Sequence, residues 1–414
     1  MASYELDRKL TVLFIFHDTD YYSGATRSLM DILDTYIFNK TLNIVALFPK
    51  KQGTAVDYLS KKNIPIITSY YTGVAASINE SWIKTKVAFP FRLLRFMLSI
   101  YRTYRLKDVL KEAKIDVVYS NTSVIFVGGF INKFFHIPHI WHMREFRRED
   151  HEIDFFLGKT YFHRFANKYA NLIVVISNSM YRKHVGKISA RKLRVSYNDI
   201  SPKYINPKTA FNLEQPTLQL LITGGLSASK GQIEVLQALK ILIDKGYNMT
   251  LNIAGSTNGR YYQVLAQYVQ EQQLQNHVVF HGLVKDMNEL RNSMDIGIVA
   301  SKNEAFGRVT IEGMLSCLAM IGRDSAGTSE LIKDMKTGLL YQPDNLDSLV
   351  DKLDYLYHNR SEIERLGTNG FQYAVDGFTV GKCSESVLKL MQEVVNPGQG
   401  QKFQSARERW EKIV

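Results

Sequence analysis

Two glutamates with seven residues between them stand out in the C-terminal part of the chain. Glu304 and Glu312 lie in SKNEAFGRVTIEGMLSC, directly after DIGIVA, an apolar run typical of a buried strand. Eight helical residues rise about 12 Å, whereas the paired carboxyl groups of a glycoside hydrolase lie about 5–9.5 Å apart. The spacing suits a long ligand with two hydroxylated parts. The helix start between them, at Phe306, Gly307 and Arg308, offers backbone amides to an anion.

A plainer interpretation is that Glu304 only interacts with the helix dipole and that Glu312 is solvated. It fits Glu304, because a carboxylate near a helix N-terminus is stabilising without any ligand. It fits Glu312 poorly, because the residues around it are apolar. These are Val309, Ile311, Met314 and Leu315.

A second candidate lies in TGGLSASKGQIEVLQAL, residues 223–239. Gly224 and Gly225 turn the chain after an apolar run, and Lys230 precedes Gly231 and an amphipathic helix. A lysine beside a helix start can hold a diphosphate as a point charge. The stretch is not the GxxxxGK[ST] phosphate loop of the NTPases, because residue 232 is Gln where that loop has Ser or Thr. The alternative is a solvated lysine before a helix.

Two further motifs follow strand-like runs in the N-terminal part. Gly24, in TDYYSGATRSLMDIL, precedes a helix, where it would let the backbone approach an anion. His142, Arg144 and Glu145 lie in HIWHMREF, at the end of a strand-like segment. The alternatives are an ordinary turn at Gly24 and a core histidine at His142. Arg144 and Glu145 could pair with each other or with the second half of the chain.

Apolar strand-like runs alternate with helix-like segments along most of the chain. The strand-like runs are 10–17, 42–49, 64–69, 116–121, 139–145 and 171–178, then 218–225, 249–256, 278–283, 295–301, 318–324 and 338–342. The helix-like segments are 26–38, 54–62, 153–170, 231–245, 259–272, 286–294, 306–317 and 345–395. Continuous apolar strands that alternate with helices predict parallel sheets covered on both faces.

We therefore expect an α/β protein with two Rossmann-like, doubly wound domains facing each other across a cleft. At 414 residues the chain is too long for one ordinary core. The segment 201–217, with three prolines, is the linker candidate. We predict an N-terminal domain at residues 1–205 and a second domain at 206–376. Residues 377–414 should form a helix packed back on the first domain, followed by a polar tail.

Bulk composition narrows the functional classes. Hydrophobic residues make up 45% and charged residues 22%, which is ordinary for a globular protein. Cys317 and Cys383 form no disulfide framework or metal-ligand spacing, so a reducing cytosol is expected. The sequence has no run of 18 apolar residues, so we expect no membrane-spanning helix. The N-terminal run LTVLFIF is interpreted as a strand and not as a signal peptide. The net charge of +12 indicates an anionic partner.

At this point the motifs carry a family resemblance, from about residue 10 to 395. SKNEAFGRVTIEGMLSCLAMIG, with Gly327 to Glu330 after it, resembles the donor-site signature of the retaining glycosyltransferases of family 4, which have the GT-B fold. TGGLSASKG is similar to their phosphate motif, YSGATRSLMDIL to their glycine loop and IWHMRE to their histidine-bearing strand. VSYNDI resembles their interdomain segment, with Asp199 where glycine is usual.

The resemblance implies a role for each matching residue. Glu312 would bind the nucleotide ribose, and Lys230 would neutralise the diphosphate. Glu304 and the amides of Phe306 and Gly307 would hold the donor sugar. One departure concerns the phosphate motif, where Gly225 stands in place of the family's usual arginine. Arg308 is a possible substitute by proximity in sequence.

The resemblance also implies roles for the N-terminal motifs. Gly24 would approach the diphosphate from the other domain, and His142 would contact the sugar near the reacting centre, with Arg144 and Glu145 on the acceptor side. We expect no cofactor and no metal. Lys230 and the helix amides would stabilise the diphosphate in place of a metal ion. Asp18 and Asp20 have the spacing of a metal-binding pair but precede the glycine loop.

The segment 81–107 combines basic and aromatic residues at helical spacing. It holds seven Lys or Arg residues and no Asp or Glu. Such a segment suits an anionic membrane surface, although a solvated basic helix with one core face is a serious alternative. Single-stranded nucleic acid ranks last, because no RNA-binding signature is present.

Together these features predict a retaining glycosyltransferase at the inner face of the cell membrane, in cell-surface polysaccharide synthesis. It would move a sugar from a nucleotide-diphosphate sugar, for which we expect a UDP-sugar, to a lipid-linked saccharide acceptor. We expect no nucleic-acid partner. The alternative, prompted by Gly225, is a weakly active or non-catalytic protein of the same fold that binds sugar nucleotides.

Overall fold

The computed structural model describes residues 8–396 except 209, 213 and 380. Its strands are β1 (Thr11–Ile15), β2 (Asn43–Phe48), β3 (Ile66–Thr68), β4 (Ala75–Ser77), β5 (Val117–Ser120), β6 (His139–Met143), β7 (Ile153–Phe155), β8 (Leu172–Val175), β9 (Leu193–Val195), β10 (Leu218–Thr223), β11 (Met249–Ala254), β12 (Val278–Gly282), β13 (Ile296–Val299), β14 (Ala319–Arg323) and β15 (Leu339–Tyr341).

The helices lie between and after these strands. They are α1 (Gly24–Asn39), α2 (Thr54–Lys61), α3 (Trp82–Tyr104), α4 (Lys107–Glu112), α5 (Val127–Phe135), α6 (Arg148–His151), α7 (Lys159–Tyr169), α8 (Asn178–His184), α9 (Gln232–Asp244), α10 (Arg260–Glu271), α11 (Met287–Asn292), α12 (Arg308–Met314), α13 (Ala326–Leu331), α14 (Leu346–His358), α15 (Arg360–Phe378) and α16 (Lys382–Val395).

The strands form two parallel sheets, as the sequence predicts. The first has the order β3-β2-β1-β5-β6-β8-β9 and the second has the order β12-β11-β10-β13-β14-β15, while β4 and β7 form a separate antiparallel pair. Both sheets are buried, because the strand residues are apolar on both faces and helices cover them. The strand order reverses beside β1 and beside β10, and ligands of such sheets bind at these switch points. The predicted α/β fold class is therefore confirmed.

One predicted helical segment differs from the structure. In 153–170 the helix begins only at Lys159, because residues 153–155 form β7, which pairs antiparallel with β4. Gly158, at φ +83°, then turns the chain into α7. The predicted helical region 345–395 is helical and consists of α14, α15 and α16, with breaks at Asn359 and at Gly381, which has φ +74°.

Helix α16 packs against α1 and so returns the chain to the first sheet. The hydroxyl of Tyr36 on α1 donates to the carbonyl oxygen of Ser384, 2.7 Å away. Asp199, from the segment between the sheets, accepts hydrogen bonds from the backbone amides of Cys383 and Ser384 at 3.0 and 2.9 Å. The predicted polar tail lies largely outside the described residues, which end at 396.

No helix within the described part of the chain combines the length and the apolar character needed to cross a bilayer.

Candidate functional site

The predicted lysine and the first predicted glutamate meet at the switch point of the second sheet. Lys230 lies in a 3-10 turn after β10, and Glu304 lies in the loop between β13 and α12. The Lys230 Nζ donates to Glu304 Oε1 across 2.5 Å. Gly231 allows this approach, because its φ is +73° and a Cβ there would lie 2.2 Å from the carbonyl oxygen of Ala300. The site therefore has a cation and a carboxylate in direct contact.

Gly327 and Glu330, the later part of the motif, have separate structural tasks. The amide of Gly327 donates to the carbonyl oxygen of Glu304 at 2.8 Å, and a Cβ at Gly327 would collide with that oxygen. Glu330 reaches the first half of the chain. Its carboxylate accepts from the amides of Asn178 and Ser179, the Ser179 hydroxyl and the Tyr197 hydroxyl, at 2.6–2.8 Å. We call these four residues the Glu330 joint.

Glu312 is buried on α12 and is surrounded by guanidinium groups. Arg291, on α11, donates to Oε2 at 2.7 Å, and Arg27, on α1, donates to Oε1 at 2.8 Å. The Nε of Arg308 lies 3.5 Å from Oε1. Arg308 in turn contacts Asp31 of α1 at 2.9 Å. We call Arg27, Asp31, Arg291, Arg308 and Glu312 the arginine cluster, and it joins helices of the two halves.

The electrostatics of the arginine cluster keep Glu312 ionised. Burial alone would raise the pKa of Glu312, but the charges of Arg27, Arg308 and Arg291 hold it below its ordinary value. Burial alone would lower the pKa of Arg27, but Glu312 and Tyr204 raise it above its ordinary value. The hydroxyl of Tyr204 accepts from Arg27 at 2.7 Å. The carboxylate is therefore available as a hydrogen-bond acceptor at any ordinary assay pH.

Gly24 and Gly225 both stand in open surroundings. A Cβ at either position would meet no atom of the described residues within 4 Å, and neither glycine has a positive φ. Arg308 does not fill the space beside Gly225 in this conformation, because its guanidinium group bonds to Asp31 and to the Ser28 hydroxyl. The idea that Arg308 substitutes for the family's arginine thus lacks support in the observed contacts.

His142, for which the family resemblance implies a contact with the sugar, is a buried residue of the first sheet. It lies within β6, with no exposed surface. Its Nδ1 contacts the Tyr119 hydroxyl and lies 3.3 Å from a nitrogen of Arg144. Burial, followed by the charge of Arg144, lowers the pKa of His142 well below its ordinary value. Its Nε2 has no hydrogen-bond partner among the described residues, and its contact with the sugar stays a prediction.

Arg144 and Glu145 follow β6 but are also buried, and their side chains do not pair with each other. Arg144 donates from Nε to Asn121 at 2.5 Å and from Nη1 to Asn198. Glu145 accepts from the amide and hydroxyl of Ser123 at 2.8 and 2.6 Å. Both side chains therefore organise loops after the strands of the first sheet.

The spaced aspartates hold the loop before α1 through local hydrogen bonds. Asp18 accepts from the hydroxyls of Ser23 and Thr26 at 3.3 and 2.9 Å. Asp20 accepts from the amide of Tyr22 at 3.0 Å. In the described part of the chain no group of three or more His, Cys, Asp or Glu side chains is arranged to hold a metal ion.

The sequence interpretation missed Arg27, Asp31 and Arg291 as members of the site. Arg27 carries a weak signal, because it lies in the first turn of α1, where a basic residue opposes the helix dipole. Arg291 carries none that distinguishes it from a solvated helical arginine. The contact between Arg27 and Glu312 joins residues 285 positions apart, which no local pattern encodes.

Comparison with known proteins identifies the fold. A glycosyltransferase from Rickettsia africae superposes with a TM-score of 0.76 over 94% of this chain and 99% of its own, at 18% identity. The Anabaena protein HepE, in complex with UDP and glucose, superposes with a TM-score of 0.71 over 92% and 99%, at 19% identity. The fold is GT-B. As a GT-B protein, the chain places its two switch points on opposite sides of one cleft.

Sequence comparison agrees with the structural one. Residues 206–373 of this GT-B protein match the family model of glycosyl transferases group 1. An uncharacterized glycosyltransferase of Methanocaldococcus jannaschii, MJ1178, is 24% identical over 73% of this chain and 82% of its own length. The capsular polysaccharide biosynthesis glycosyltransferase CapM of Staphylococcus aureus is 25% identical over 44% and 46%. These matches support a glycosyltransferase.

Proposed function

We propose that this GT-B protein transfers a sugar from a nucleotide-diphosphate sugar to a lipid-linked saccharide, with retention of the anomeric configuration. The observation that carries the proposal is the grouping of Lys230, Glu304 and Glu312 around the switch point of the second sheet. A cation and two separate carboxylates match the three parts of such a donor: diphosphate, sugar and ribose. UDP is the first nucleotide to test, because HepE was solved with UDP and with UDP-glucose.

Each donor part has an assigned partner in this proposal. Glu312 accepts hydrogen bonds from the ribose hydroxyls, and Lys230 faces the diphosphate. Glu304, with the amides of Phe306 and Gly307, holds the donor sugar. The open surroundings of Gly24 fit a close approach of the α1 start to the diphosphate from the other half.

The chemical step requires stabilisation of a leaving group. The bond between the sugar C1 and the bridging oxygen breaks, and the nucleotide diphosphate leaves with the electron pair. The acceptor oxygen forms the new bond to C1 on the same face, and its hydroxyl proton passes to the departing diphosphate. Lys230 must exchange Glu304 for the diphosphate to neutralise that charge. One preorganised donor of this kind is worth about 3–4 kcal/mol. We propose a metal-independent reaction, because Lys230 and the helix amides can supply this stabilisation.

Helix α3 supports a membrane-bound acceptor. Six apolar side chains spaced by three or four residues are exposed along it: Ile83, Val87, Phe91, Leu94, Leu98 and Tyr101. Exposed basic residues flank this stripe, namely Lys84, Lys86, Arg95 and Arg102. An apolar stripe between basic edges suits an anionic bilayer surface. We propose peripheral binding at the inner face of the cell membrane, in cell-surface polysaccharide synthesis as the name of CapM indicates for that relative.

The membrane proposal is tested with anionic vesicles. Replacing Lys84, Lys86, Arg95 and Arg102 with Gln should reduce co-sedimentation, and added salt should do the same to the parent. Arg92 is left unchanged, because it pairs with Glu80 at 2.6 Å. The matched control replaces four exposed basic residues elsewhere, Lys245, Arg260, Lys333 and Lys336. Equal loss in both variants would reject a specific role for α3.

Catalysis is tested with a panel of nucleotide-diphosphate sugars and a bacterial lipid extract as the source of acceptors. We expect transfer of one sugar to the lipid fraction, with the anomeric configuration of the donor conserved in the NMR spectrum of the product. Inversion would reject the retaining mechanism. Binding of a donor without transfer or nucleotide release would favour the alternative suggested by Gly225, a protein that binds sugar nucleotides without catalysis.

A further inference from the structure

The arginine cluster contains more positive than negative charge. Three guanidinium groups face two carboxylates, so one positive charge is in excess. Two of the arginines stand in the first turns of α1 and α12, and neither of these turns contains an acidic residue. A cation at a helix N-terminus is unfavourable, because that end of the helix is itself positive. The cleft side of the cluster is therefore electrostatically suited to an anion.

Arg27 is the accessible member of the cluster. Its side chain is 25% exposed, compared with 3% for Arg291 and 11% for Arg308. Both of its hydrogen bonds come from Nη2, to Tyr204 and to Glu312. Among the described residues no hydrogen bond of its Nη1 or Nε is found. These donors remain for a phosphate, which guanidinium groups bind through two parallel hydrogen bonds.

The two oxygens of Glu312 differ in how firmly they are held. Oε2 accepts from the buried Arg291, whereas Oε1 accepts from the more exposed Arg27, which comes from the other half of the chain. Breaking the contact of a buried arginine leaves an uncompensated buried charge, whereas water and salt screen the charge of a partly exposed one. A ribose hydroxyl can therefore replace Arg27 at Oε1 more easily than it can replace Arg291 at Oε2.

We propose that Arg27 is an exchangeable cation of the donor site. Without donor it pairs with Glu312; with donor bound, a ribose hydroxyl takes its place at Oε1 and the guanidinium group turns to the diphosphate. This inference rests on the proposed function and adds a residue to it. Arg27 would supply the leaving-group charge that Gly225 does not provide, from α1 rather than from the second sheet.

The test compares a nucleoside with its diphosphate, because the proposal predicts opposite responses. Binding of uridine and of UDP is measured by calorimetry for the parent, Arg27→Gln and Arg27→Lys. In Arg27→Gln we expect UDP affinity to fall about 10-fold or more, because the diphosphate loses one charged hydrogen-bond partner. Uridine affinity should stay the same or rise, because a competitor for Glu312 has been removed. Arg27→Lys should keep part of the UDP affinity.

A matched control removes a cation from the other contact between the halves. Arg182 lies 3.8 Å from Glu330 and is 69% exposed, so Arg182→Gln should change neither affinity. Parallel losses of uridine and UDP affinity in Arg27→Gln would indicate a merely structural role and overturn the inference, as would parental UDP affinity. If the parent binds none of ADP, CDP, GDP and UDP, the proposed function itself fails.

Discussion

Glu330 and Glu312 both connect the halves of this protein, and their carboxylates are satisfied in different ways. Glu330, in the Glu330 joint, accepts from two amides and two hydroxyls, so its main donors are neutral. Glu312, in the arginine cluster, is shared by three cations, one of which also pairs with Asp31. The first contact is complete within the protein. The second retains surplus positive charge.

This difference indicates which contact is structural and which responds to a ligand. A carboxylate that receives four hydrogen bonds gains little from a further partner, and breaking them costs free energy. A cluster with excess positive charge gains when an anion arrives, and its exposed arginine can change partners. We therefore expect donor binding to alter the arginine cluster and to leave the Glu330 joint unchanged.

The largest effect on stability is expected when the carboxylate of the arginine cluster is removed. Glu312→Ala leaves the buried Arg291 without its carboxylate, and an uncompensated buried charge costs about 3–5 kcal/mol. Glu330→Ala removes the acceptor of two amides and two hydroxyls and a distant contact with the exposed Arg182, for which we expect about 1–3 kcal/mol. The free energy of unfolding in urea measures both. Equal losses, or a larger loss at Glu330, would contradict the distinction between the two contacts.

Acid should weaken the first half before it affects the arginine cluster. Four histidines of the first half have a lowered pKa, and burial is the main cause in each. The pKa is lowered to about 4 for His139 and His163. It is lowered well below the ordinary 6.5 for His142 and His184. The unfolded chain then binds more protons, so stability is lost as the pH falls below about 6.5. Glu312, with its lowered pKa, stays ionised in this range.

Urea unfolding at pH 7.5 and pH 5.5 measures this acid effect. Each buried neutral histidine contributes up to about 1.4 kcal/mol per pH unit below its unfolded-state pKa. His184→Leu should reduce the difference in the free energy of unfolding between the two pH values, because it removes one of these buried rings. Among the described residues neither ring nitrogen of His184 has a hydrogen-bond partner to lose. A pH-independent free energy of unfolding would show that these histidines titrate normally.

A smaller effect is expected from adding the arginine that the phosphate motif lacks. Gly225→Arg has room at its Cβ, so its guanidinium group can reach a bound diphosphate, and we expect UDP affinity to rise by about 10-fold or less. It should also restore part of the UDP affinity of Arg27→Gln, since both arginines serve one diphosphate. Calorimetry measures both. No rescue would mean that the two positions do not share a ligand.

The fold could largely be predicted, because parallel strands buried on both faces are continuous apolar runs. The same burial applies to His142. A histidine inside such a strand is covered on either face, so its predicted contact with the sugar does not follow from its place near the strand end and stays a prediction. Residues 153–155 were predicted as helix because their pairing partner, β4, lies far away in the chain.

One part of the candidate site could be predicted from the sequence and another part could not. Lys230 and Glu304 could be predicted because each follows a strand of one sheet and parallel strands end at a common edge. The arginine cluster could not, because Arg27 and Arg291 reach Glu312 from helices that only the docking of the two halves brings together. Local patterns describe a strand and its loop, whereas the contacts between halves depend on tertiary structure.

The central claim is that the protein transfers a sugar and that Lys230 stabilises the leaving diphosphate. The most direct test is the rate of transfer at saturating donor for the parent, Lys230→Ala and Lys302→Ala. Lys302 is the matched control, because it is exposed beside the same turn and only its backbone bonds to Ser229. We predict a loss of at least about 100-fold for folded Lys230→Ala and none for Lys302→Ala. Parental turnover by folded Lys230→Ala would contradict the account.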